Sequence, residues 1–102
     1  MGSPTPHEVS DELRRVVERW HQLPLDHALS RLPSVRALVQ WLADRVAAAR
    51  GASDPHAQPV PDLGPAVVMD QLSVLVFDLF RAEPDADARV VTDALAGIRR
   101  SL

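Results

Sequence analysis

The sequence predicts an all-α fold, four main antiparallel helices plus one short helix, arranged as a bundle of two helical hairpins. Three observations carry this. Apolar residues recur at a spacing near 3.6 through each long run. Prolines and a glycine punctuate those runs at their ends. The chain has 102 residues, 46% of them hydrophobic, which fits one core and leaves no room for two.

Residues 1–6 hold two prolines, a glycine, a serine and a threonine and read as a flexible tail. Residues 7–102 then form a single helical domain. Thr5-Pro6-His7-Glu8 suits a helix start, with Thr5 as N-cap, Pro6 first in the helix and Glu8 completing a capping box. The first helix runs from about Pro6 to His21, with Val9, Leu13, Val16, Val17 and Trp20 on one face. Pro24 ends it. A short helix follows from Pro24 to Leu32, with Leu25, Ala28, Leu29 and Leu32 inward and Asp26 as a capping residue. Pro33 breaks that helix or opens the next one, which runs to Arg50 on Val35, Leu38, Val39, Leu42, Val46 and Ala49. Gly51 is placed to stop it.

Residues 51–63, GASDPHAQPVPDL, hold three prolines and few apolar groups and read as a floppy internal loop. The fourth helix runs from about Gly64 to Arg81. Its β-branched runs, AVV and VLVF, make a strand a competitor. Period decides for a helix: Val68, Leu72, Leu75, Val76, Leu79 and Phe80 fit 3.6, and strict alternation fails. The fifth helix runs from Asp85 to Ser101, with Asp85 and Asp87 at the positive end of its dipole and Arg99 and Arg100 at the negative end. The first helix and the one after Pro33 are expected to form one layer, and the last two helices the other.

Charge and composition exclude several function classes. The chain has no cysteine, so disulfide scaffolds and thiolate chemistry are ruled out. Formal charge is −3, whereas nucleic-acid binders carry a basic excess. Residues 1–50 are net +1 and residues 51–102 net −4, a mixed solvated surface. Every basic residue is arginine, which reads as the coding bias of a GC-rich bacterial genome. No apolar run approaches the ~20 residues that span a bilayer. No signal peptide is evident, so a cytoplasmic setting is expected.

Candidate chemistry is sparse. His21, Asp26 and His27 are metal-ligand types, but their spacing matches no metal motif, and surface imidazoles explain them as well. Asp70 and Asp78 lie about 80° apart on the fourth helix, where a solvent-facing stripe explains them, with Asp78 free to pair with Arg81. No glycine-rich phosphate loop, nucleophile elbow or zinc-protease motif occurs. No catalytic residue, cofactor or metal is therefore expected. Two helices joined tightly at Pro33, with Arg36, Gln40, Asp44 and Arg45 on the second, raise DNA binding as an alternative.

The most informative feature is apolar surface without an obvious internal partner. Val74 and Phe77 flank the polar stripe of the fourth helix, and Trp41 lies off the inner face of its helix, near Arg45. A Trp, a Phe and a Val with arginines at hand match interface composition. The expected function is a small non-catalytic interaction or accessory module, self-associating as a dimer or binding another protein. Its interface would centre on Trp41, Arg45, Val74, Phe77 and Arg81.

Overall fold

The computed structural model describes residues 4–56 and 58–102. Met1, Gly2 and Ser3, half of the expected tail, lie outside the described residues. Four helices form: α1 (His7–Gln22), α2 (Leu25–Ala49), α3 (Val68–Ala82) and α4 (Ala88–Ser101). No strand occurs among the described residues, so the helical period prevails over the β-branched composition from Val68 onward.

The short helix and the helix after Pro33 are one element, which corrects the expected break. Buried Ala28, Leu32, Val35, Val39, Leu42 and Val46 step by four and three alternately, and the stripe crosses Pro33 without a change of phase. Pro33 itself is exposed. The Leu29 carbonyl that loses its N–H partner therefore lies on the solvent side, where water can bond it. Leu25 and Leu29, expected inward, stand out at 66% and 48% exposure. Gly51 does stop the helix. Its φ of +84° suits glycine. Its N–H donates to Ala48 O, and the N–H of Ala52 reaches Ala47 O, both at 3.0 Å, closing a Schellman motif.

Other helix starts shift for local reasons. The α1 cap falls on Pro6, not Thr5, and the N–H groups of Val9 and Ser10 donate to the Pro6 carbonyl. Gly64, at φ +88°, opens a turn, so α3 begins at Val68, later than expected. Asp87, not Asp85, caps α4, its carboxylate accepting from the Arg89 N–H at 2.9 Å.

Helix pairing also differs from expectation. The main partners are α2 with α3 and α1 with α4, and the lesser contacts join α2 to α4 and α1 to α3. Neither α1 with α2 nor α3 with α4 is a main packing pair, and the order around the core is α1, α4, α2, α3. The ends of α2 and α3 lie together: Arg45, Ala48 and Ala49 line one groove with Ala82 and Glu83. Their starts also lie together, with Leu25 and Ala28 beside Pro65 and Ala66. So α2 and α3 run in the same direction and are not an antiparallel hairpin. Apolar burial explains the choice. Val39, Leu42 and Val46 of α2, Leu72, Val76, Leu79 and Phe80 of α3, Val9 and Val16 of α1, and Val91 and Leu95 of α4 fill one core.

One charge sits in that packing. Glu12 is 4% exposed, at a position three after Val9 and four before Val16 on the inner face of α1. Arg99 of α4 donates to its Oε1 from Nε at 3.0 Å and Nη2 at 2.9 Å, and Arg15 reaches Oε2 at 3.4 Å. Burial pushes the Glu12 carboxyl up, but the bonds and charge of Arg99, then of Arg15, outweigh it and hold the group below its ordinary value of 4.5. Arg99, expected to serve the helix dipole, instead ties α4 to α1. Trp20 makes a second tie, its indole N–H donating to Pro65 O at 3.0 Å.

A carboxyl depressed in the fold stabilises it fully above its unfolded pKa, and that gain is lost as pH falls through the folded value. E12Q should lower unfolding free energy by about 1.5–3 kcal/mol near pH 7. It should also flatten the loss of stability below about pH 4.5. Urea titrations monitored by circular dichroism at pH 7 and pH 3.5 check this; equal acid sensitivity in both proteins would contradict it.

Candidate functional site

The outward face of α3 is a candidate site, an apolar stretch that the fold leaves open, as it does Leu25 and Leu29 of α2. Its neighbours α1 and α2 cover Val68, Met69, Leu72, Val76, Leu79 and Phe80. They do not reach the opposite side. Asp70, Val74, Phe77 and Arg81 are all exposed there. At 100° per residue these four fall within an arc of about 60°. The stripe is apolar in the middle, at Val74 (57% exposed) and Phe77 (39%), and charged at both ends. Neither the Asp70 nor the Arg81 side chain has an ion pair or hydrogen bond among the described residues. Asp78, expected to pair with Arg81, instead lies 3.9 Å from Arg50 at the end of α2.

A groove runs along each side of this stripe. The one toward α1 is about 370 Å³, with Leu13 and Val17 facing Ser73, Val76 and Phe77. The other is about 340 Å³ and is formed by Val60, Leu75 and Val74, with Asp70 and Gln71 at its edge.

Val60 is present because the 51–63 loop is held as a strap along α2. Gln40 is its main anchor. Its Oε1 accepts from the Val60 N–H at 2.7 Å, and its Nε2 donates to Gln58 O at 3.2 Å and Asp44 Oδ1 at 2.9 Å. His56 Nδ1 lies 2.8 Å from Asp44 Oδ2. Hydrogen bonds from Gln40, then His56, hold the Asp44 carboxyl below its ordinary value against a smaller opposing effect of desolvation. Arg36 donates to Val60 O at 3.4 Å and lies 3.7 Å from Asp62. From α3, Gln71 donates to Pro61 O at 3.1 Å. The expected floppy loop is therefore a tethered segment. Its anchors were legible only in part: Gln40 and Asp44 are four apart on one helix, but nothing in the sequence says what they hold.

The remaining candidates are dispersed. Trp41 is half-buried and packed against the core, and the Arg45 guanidinium lies 5.2 Å from its ring centroid. They stand on the flank of α2, about 100° and about 140° from Gln40. Neither of the grooves beside Val74 and Phe77 is lined by Trp41 or Arg45. Arg45 faces Ala82 and Glu83 instead. The joint expected at Pro33 is absent, and Arg36, Gln40 and Asp44 of the candidate reading helix contact the strap.

The histidine cluster does not converge. His21 and Asp26 are exposed, Asp26 Oδ1 accepts from the His27 N–H at 3.0 Å, and His27 Nε2 lies 2.9 Å from Leu102 O. Among the described residues no three His, Asp or Glu side chains are grouped to hold a metal ion. No described helix is long and apolar enough to cross a membrane. No family model, curated protein or solved structure matches this chain.

Two variants test this assignment of roles. Q40A removes three side-chain hydrogen bonds. Amide exchange at Val60 should speed by about 10-fold more than at Leu72, the equivalent of about 1.4 kcal/mol of local stability. Equal changes at both amides would show that the strap has no separate anchor. W41A should lower unfolding free energy by roughly 2 kcal/mol, because the half-buried indole is lost from the core. Chemical denaturation measures it, and an unchanged midpoint would return Trp41 to the surface candidates.

Proposed function

We propose that this chain is a non-catalytic helical interaction module that self-associates through the outward face of α3. The observation that carries the reading is the mid-helix pair Val74 and Phe77. Both are exposed on a helix whose other faces are buried, and apolar grooves flank them. Scattered apolar residues on a surface are ordinary. An aligned pair between two apolar grooves, with an unpaired charge at each end, is a shape that a second helix can fill. A two-fold dimer is the commonest closed assembly of such a face. Trp41 and Arg45 contribute to the fold of the module more than to its contact.

The alternative of DNA binding has less support. The polar groups on the candidate helix are engaged by the strap, and residues 51–102, which include the strap and α3, carry a net charge of −4.

Sedimentation velocity across a concentration series tests the proposal. The wild-type chain should show a rising mass toward a dimer. F77D and V74D should each weaken association about 10-fold or more, with helix content by circular dichroism retained. V74D is the cleaner variant, because Val74 is the more exposed. A wild-type chain that stays monomeric at the highest concentration overturns the reading.

A further inference from the structure

We infer that the partner on this face is a second copy of α3 laid antiparallel across a two-fold axis, an inference that rests on the self-association proposed above. The positions of the stripe are the evidence. Asp70, Val74, Phe77 and Arg81 are spaced symmetrically about a point between Leu75 and Val76. Reversing the helix about that point places Val74 opposite Phe77 of the second copy and Asp70 opposite its Arg81. Every contact is then made twice, as an isologous interface requires.

Charge and shape agree with this register. Both charged side chains lack an internal partner, and each meets an opposite charge across the axis. Helix dipoles favour an acid in the first turn and a base in the last turn, but they set no position around the axis. Here both charges sit on the same narrow stripe as the apolar pair. Phe77 of the second copy lands beside Val74, where the groove formed by Val60 and Leu75 is open and apolar. A parallel arrangement would instead bring Asp70 against Asp70 and Arg81 against Arg81.

The strap has a place in the same contact. Val60 forms one wall of the groove, so its tether through Gln40 shapes the receiving surface before association.

Cross-linking reads the register directly, because the native chain has no cysteine. In an equimolar mixture of D70C and R81C under mild oxidation, the mixed disulfide should dominate. D70C alone should stay reduced, since its two copies would stand about 16 Å apart along the axis. D70R and R81D should each raise the dimer dissociation constant about 10-fold, each creating two like-charge contacts. The double variant D70R/R81D should return to within about 3-fold of wild type, with circular dichroism confirming that it folds. Two results overturn this inference while leaving self-association standing. One is efficient cross-linking of D70C alone. The other is a wild-type dimer by native mass whose D70C and R81C mixture does not cross-link, or whose D70R/R81D variant is no tighter than the singles. A wild-type monomer overturns both.

Discussion

The parallel course of α2 and α3 is the constraint on which the other features depend. Two helices that run the same way cannot be joined by a short turn. The chain must return along the first helix before it starts the second. Here the return is made by the 51–63 segment, which follows α2 back from Gly51 toward its middle. Such a segment contributes little apolar burial, so polar side chains must order it. Gln40, Asp44 and Arg36 supply the bonds from one side and Gln71 from the other. Proline at 55, 59 and 61 lowers the entropy lost when the segment is fixed.

That course also decides which face of α3 remains open. With α2 and its strap on one side and α1 on the other, the buried half of α3 is fully used. The other half has no fourth wall, because α4 packs chiefly on α1, joined to it by the bonds from half-buried Arg99 to buried Glu12. Removing Arg99 would leave the buried Glu12 carboxylate with Arg15 alone, at 3.4 Å, so the pair fixes α4 on α1 largely through the cost of breaking it. The exposed Val74 and Phe77 are thus a consequence of topology as much as of local sequence.

Much of this was legible in the residues, though not all. The helical nature of 68–80 followed from period, and Gly51 and Trp20 fell where their chemistry suggested. Pro33 misled because proline propensity is a local signal, whereas the stripe from Ala28 to Val46 is a longer one. That stripe keeps its phase across Pro33, and its tertiary burial decides. The buried Glu12 could have been suspected from its position between Val9 and Val16, but its partner Arg99 is 87 residues away. Helix pairing was hidden for the same reason. Amphipathic patterns say that a face is buried, not against which neighbour, and the polar anchors of the strap become visible only when the return path is known. Val74 and Phe77 were readable as surplus apolar surface, and Trp41 was readable as a neighbour of Arg45, while its partial burial against the core was not.

Self-association through the outward stripe of α3, as proposed above, would change that stripe's surroundings with concentration. Amide NMR spectra of the wild-type chain over a dilution series test it most directly. Concentration-dependent shifts are expected at Asp70, Val74, Phe77, Arg81 and Val60, with the outer face of α4 unchanged. Spectra that do not change with concentration, or shifts centred on Leu25, Leu29 or Val90, would contradict it.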